Sequence, residues 1–160
     1  FVPAKGVDAW QLSNPPILAM APIKAALELF QQAGMPALRE KSIRLTGYLE
    51  QLVQTELKHV LEIITPADPD RRGCQLSLRV LAGRSAGRAL FEKLEQAGTV
   101  PDWREPDVIR VAPVPMYNRF EDCWQLIQQI KAIRVPLRPV IDGNIFLDKR
   151  LHSLALIHDA

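Results

Sequence analysis

Apolar positions recur three or four apart from Ile17 to Ala33, at Ile17, Met20, Ile23, Leu27 and Phe30, which is one face of a helix. Gly34 follows where a left-handed cap costs least, and Pro22 is expected to kink that helix or delay its start. A second amphipathic run opens at Pro36 and carries Leu38, Ile43, Leu45, Leu49, Leu52 and Val53 toward Lys58. The period then changes. Val60 to Thr65 is a short β-branched run closed by Pro66, and from Cys74 to Leu81 the residues Leu76, Leu78 and Val80 alternate with polar neighbours, so both predict strands. Between them, residues 66–73 are turn chemistry, with Arg71 and Arg72 expected in solvent.

Ser85 is placed to cap a helix burying Leu90, Phe91 and Leu94 and ending at Gly98. An extended piece over 99–104 leads to the strand Val108 to Ala112, stopped by Pro113 and Pro115, which cannot donate to a ladder. Asn118 with Glu121 three residues on predicts a capping box opening a last helix, with Phe120, Trp124, Ile127 and Ile130 on one side, fading near Ile133. Short strand-to-strand links favour antiparallel pairing, and the order of elements predicts an α+β fold, an antiparallel sheet with helices packed on one face. Residues 1–16 read as a lead-in loop, 17–133 as a small α+β domain and 134–160 as a tail whose role is open.

Composition narrows the classes. The 160 residues carry 20 Lys+Arg and 18 Asp+Glu, a net charge of +2, with the basic residues scattered among acids, so no nucleic-acid partner is expected. No apolar run is long enough to span a membrane and no export signal opens the chain, so a soluble cytoplasmic protein is expected. Cys74 and Cys123 are far apart, and His59, His152 and His158 lack ligand spacing, so neither a disulfide framework nor a metal site is expected. Glycine-rich nucleotide loops are absent. Cys74 and Cys123 read as small buried hydrophobes, and Trp10, Trp103 and Trp124 as core or interface anchors.

One residue interrupts a pattern. Arg110 stands in the apolar strand Val108-Ile109-Arg110-Val111-Ala112, on the face opposite Ile109 and Val111. On a solvated face it is an ordinary or salt-bridged arginine. Facing a cleft, its guanidinium fork would grip a carboxylate with two parallel hydrogen bonds. Asn14, between Ser13 and two prolines, either caps a turn or donates to a phosphate.

Five strings in order are together far more specific than any one of them: residues 10–18 (WQLSNPPIL), 44–50 (RLTGYLE), 63–66 (IITP), 72–77 (RGCQLS) and 109–118 (IRVAPVPMYN). They resemble the C-terminal portion of the kynureninase family over residues 1–133. The resemblance implies the small C-terminal domain of a fold-type I pyridoxal-phosphate enzyme, a homodimeric carbon–carbon hydrolase. Such an enzyme cleaves L-kynurenine or 3-hydroxykynurenine to the anthranilate and L-alanine, in the tryptophan breakdown that feeds NAD biosynthesis. It also implies that Arg110 holds the substrate α-carboxylate and that Asn14, with Ser13, contacts the cofactor phosphate. Residues 1–16 then lead in from a large domain.

The family's Schiff-base lysine sits in a context that none of Lys5, Lys24, Lys41, Lys58, Lys93, Lys131 or Lys149 reproduces. No catalytic residue is therefore expected in this chain, which by itself would form no Schiff base and would be inactive. The alternative from another class is a stand-alone α+β interaction or amino-acid-binding module in which Arg110 does no catalysis.

Overall fold

Gly34, with φ of 81°, separates two tandem helices, α1 (Ile17–Ala33) and α2 (Met35–Glu56), in a computed structural model that describes residues 2–11 and 13–133. The expected tail, 134–160, lies outside the described residues. Pro22 sits inside α1 and neither ends it nor delays its start. The lead-in segment is not wholly irregular, since Gly6–Trp10 forms a short 3-10 helix.

Leu45, Leu49 and Val53 of α2 and its C-cap Leu57 follow one another at four-residue intervals and are buried, the spacing that stacks side chains on one helix face. The stripe also includes Ser42 and Thr46 and leaves Ile43 exposed, a shift from the apolar pattern alone. Thr46 is accommodated because its hydroxyl donates to the Cys74 carbonyl at 3.3 Å. Each Leu enclosed this way contributes roughly 1.5–3 kcal/mol of apolar burial.

The strands are β1 (Leu61–Ile63), β2 (Leu76–Val80), β3 (Asp102–Arg104) and β4 (Val108–Val111), ordered β1-β2-β4-β3 and antiparallel throughout. Between β2 and β3 runs α3 (Gly83–Gln96), so β4 inserts between the two strands that α3 connects. The last helix is α4 (Phe120–Ala132). Leu76, Leu78 and Val80 of β2 are buried, as their alternation predicts, and they meet Leu90 and Leu94 of α3 and Ile127 and Ile130 of α4 in one core. The α+β architecture with an antiparallel sheet is therefore as expected.

Two helix starts differ from expectation. Ser85 does not cap α3, which begins at Gly83 after a sharp turn with Gly83 at φ of 81°. Asn118 does not cap α4 either: its side-chain oxygen accepts from the Val114 N–H at 2.9 Å, bracing the proline-rich loop, and Arg119 takes the cap position. The backbone N–H of Arg119 donates to Asp122 at 2.9 Å, and the Asn118 amide donates to the same carboxylate at 3.0 Å. These bonds, Arg119's first, hold the Asp122 carboxyl below the usual aspartate range. The buried face of α4 is made by Cys123, Leu126, Ile127 and Ile130, and Phe120 and Trp124, expected on that side, are exposed.

Candidate functional site

Alternation on β4 sends Ile109 and Val111 into the helix-covered core and Arg110 to the other face of the sheet. Along that face lie Glu62 of β1, Ser77 and Arg79 of β2, and Asp102 and Arg104 of β3, so it is a charged surface facing away from the core. Arg79 pairs with Glu62 at 2.9 Å and reaches Asp107 at 3.9 Å. Among the described residues, no strand carries a lysine.

The ladder register sets Arg110 between Ser77 on β2 and Asp102 on β3. Its Nε donates to Asp102 Oδ2 at 2.7 Å, and its Nη2 donates to the same oxygen. Arg104 also approaches that oxygen, at 3.0 Å. Two guanidinium groups, Arg110's hydrogen bond foremost, hold the Asp102 carboxyl below the usual range, so it is an anion. The side chain of Arg110 is 29% exposed, neither sunk in the core nor free in solvent. The salt-bridged arginine foreseen as one alternative is thus the arrangement present, and Asp102 is a partner that sequence reading missed.

Ser13 and Asn14 are exposed ahead of α1, with the Ser13 carbonyl accepting from Gln11 Nε2 at 3.0 Å. No hydrogen bond or ion pair among the described residues joins them to Arg110. They offer a phosphate an amide and a hydroxyl. Lys24 and Lys131 are engaged with Glu28 and Glu56, and Lys41 donates to the Pro115 carbonyl at 2.7 Å. The lysine of the pyridoxal cofactor that the resemblance implies is assigned by that resemblance to a large domain, and no step is routed through that group.

A cleft of about 660 Å³ lies elsewhere, bordered by Thr99, Val111, Asn118, Cys123 and Gln129, without Arg110, Ser13 or Asn14. Cys123 is buried there as expected. Burial, with the Asp122 charge behind it, pushes its thiol up to about 11, which makes it a poor nucleophile. Cys74 is only half-buried. Trp10 and Trp124 are exposed, and Trp103 alone of the three packs against the core.

Arg72 corrects another expectation. It is 5% exposed and meets Glu50 of α2 at 2.5 Å while also donating to the Pro66 carbonyl at 3.2 Å, so it pins the β1–β2 loop instead of standing in solvent. α1 departs differently: it is the helix expected, yet none of its residues is buried, and Ile17, Met20, Ile23, Leu27 and Phe30 are all exposed. No helix among the described residues is long and apolar enough to cross a membrane.

Comparison with known proteins follows the same residues. The family model described as the kynureninase C-terminal domain matches residues 38–130, which include most of α2, all four strands, α3 and most of α4. Over 132 residues the chain is 65% identical to a kynureninase of Xanthomonas campestris pv. campestris (strain B100). It is 63% identical to one of Xanthomonas oryzae pv. oryzae (strain PXO99A) and 62% identical to one of Xanthomonas euvesicatoria pv. vesicatoria (strain 85-10) over the same length. In each case 82% of this chain is covered but only 31% of the relative, so the chain spans about a third of the length of the curated proteins it matches.

Proposed function

The chain belongs to the kynureninase family, as its C-terminal domain, and from that premise we propose that it completes an enzyme that hydrolyses L-kynurenine or 3-hydroxykynurenine to the anthranilate and L-alanine. The enzyme acts as a cytoplasmic homodimer with pyridoxal phosphate. The cofactor's lysine and ring contacts come from the part of the enzyme not represented in this chain. Arg110 binds the substrate α-carboxylate, because a guanidinium on the uncovered face of a sheet is where an amino acid's acidic end meets two parallel donors. Ser13 and Asn14 donate to the cofactor phosphate, across the subunit boundary.

The observation that carries this reading is the half-buried guanidinium of Arg110, on the sheet face opposite the core and inside the stretch that matches the family. The test is a hybrid in which this chain replaces the 132 residues it matches in the Xanthomonas campestris enzyme. The hybrid is expected to release anthranilate from L-kynurenine. A folded hybrid that binds cofactor and yields no anthranilate overturns the reading.

A second reading has one observation in its favour. Arg110 already has an internal carboxylate partner in Asp102, which suits a non-catalytic α+β module with a structural arginine. That reading predicts that Arg110 variants of the hybrid leave the KM for kynurenine unchanged.

A further inference from the structure

A guanidinium has two flat edges able to grip a carboxylate, the side edge made by Nε and one Nη and the end edge made by the two Nη atoms. In Arg110 the side edge is taken: Nε and Nη2 both donate to one oxygen of Asp102. The hairpin brings the two side chains within reach, since Asp102 and Arg110 are directly opposed in the β3–β4 register and lie on the same face. Arg104 meets the same oxygen at 3.0 Å, so Asp102 is itself held by a second guanidinium. Counting Arg104 and Arg110 as positive and Asp102 as negative, the trio carries one net positive charge, which one further carboxylate neutralises.

We propose that Asp102 is a positioning residue for substrate binding: by holding the side edge of Arg110 it aims the end edge at the α-carboxylate of the amino-acid substrate. The proposal rests on Arg110 being the carboxylate-binding residue. An arginine stem has several rotatable bonds, and ordering it only when substrate arrives would cost affinity. Asp102 does that ordering beforehand. It touches neither substrate nor cofactor, so its removal weakens the hold on the carboxylate without altering the chemical step.

The test uses the hybrid enzyme with Asp102→Asn, Asp102→Ala, Asp102→Glu and, as reference, Arg110→Ala. Asp102→Asn and Asp102→Ala are expected to raise the KM for L-kynurenine about tenfold, the scale of one lost charge-assisted hydrogen bond, with kcat within about twofold. Asp102→Glu is expected to recover part of the loss. Inhibition by a decarboxylated analogue of kynurenine, which offers Arg110 nothing to grip, is expected to stay unchanged in all three.

Equal losses for kynurenine and the analogue would show that Asp102 merely supports the fold, and would overturn the proposal. Unchanged KM in the Asp102 variants beside a raised KM in Arg110→Ala would overturn it while leaving the carboxylate role of Arg110 intact. An unaffected Arg110→Ala, or a hybrid without activity, would remove the reading beneath it as well.

Discussion

Gly87 of α3 and Trp103 of β3 approach so closely that a β-carbon at Gly87 would stand 3.1 Å from Cη2 of the indole and 3.3 Å from the β-carbon of Val80. The missing side chain lets β3 lie against the helix. Trp103 cannot swing away cheaply: it packs on Phe91 with ring centroids 6.0 Å apart, and its Nε1 donates to Glu105 at 3.1 Å. The same short strand carries Asp102 on its other face, so this contact sets the height of Asp102 opposite Arg110.

Gly87→Ala therefore sets two effects against each other. Alanine raises intrinsic helix propensity by about 1 kcal/mol, whereas forcing a methyl group into a filled site costs roughly 1–3 kcal/mol. Val80 Cβ is fixed by the backbone and cannot yield, so the crowding wins and a net loss of about 1 kcal/mol is expected, read as a lower urea midpoint. In a Trp103→Leu background, which removes the ring contacts and leaves the one to Val80, the loss is expected to shrink. A Gly87→Ala protein that is more stable than the original would show that the indole gives way.

Arg72 and Glu50 predict a larger effect. Their side chains are 5% and 15% exposed, and removing one partner leaves the other charge enclosed. Breaking such a pair costs about 3 kcal/mol or more, while replacing both partners with apolar residues restores much of it. Arg72→Met and Glu50→Leu are each expected to lower the urea midpoint sharply, with the double variant well above the sum of the single losses. Additive losses would mean that the pair is already solvated.

These two contacts show where sequence reading runs out. The alternation of Leu76, Leu78 and Val80 was legible because a sheet covered on one side imposes a period of two, and the interruption at Arg110 was legible for the same reason. Arg72 was misjudged because its partner lies 22 residues earlier, on a helix whose facing residues no local pattern reveals. Asp102 escaped notice because its pairing depends on the register of the three-residue turn Glu105–Asp107, and a shift of one residue would send it to the other face. In α1 the apolar stripe was correctly read as helical, but periodicity says which side is apolar and not what covers it. The Arg110 side of the site was thus half legible: the guanidinium was, its carboxylate partner was not.

Acid should act on Glu105. Arg84 binds it through Nε at 2.7 Å and Nη2 at 3.1 Å, and Trp103 adds a third bond, which together lower its pKa from the usual 4.5 to about 2. A carboxyl with a depressed folded-state pKa contributes stability above its unfolded value, and that contribution fades as pH falls from about 4.5 toward 2. The pair is well exposed, so the contribution is small and weakens with salt. A carboxyl carbon resonance titrating near 2 at low salt is expected, and in Glu105→Gln the melting temperature should fall less steeply over that window. A midpoint near 4.5 would show that the three bonds do not hold in solution.

Arg110→Lys separates the two readings of the site most directly. Lysine keeps the positive charge at the end of the side chain but replaces a planar fork with a point charge, so it can neither give two parallel bonds to a substrate carboxylate nor share one edge with Asp102 and keep the other. In the hybrid enzyme the KM for L-kynurenine is expected to rise by about tenfold or more. If the bond to the carboxylate strengthens as the reaction proceeds, kcat falls as well; if it is equally strong throughout, kcat holds. A structural arginine behaves differently. Its replacement by lysine preserves a salt bridge to Asp102 on an open sheet face, where such pairs contribute little, and would shift the melting temperature slightly with KM unchanged. That second pattern would take Arg110 out of substrate binding.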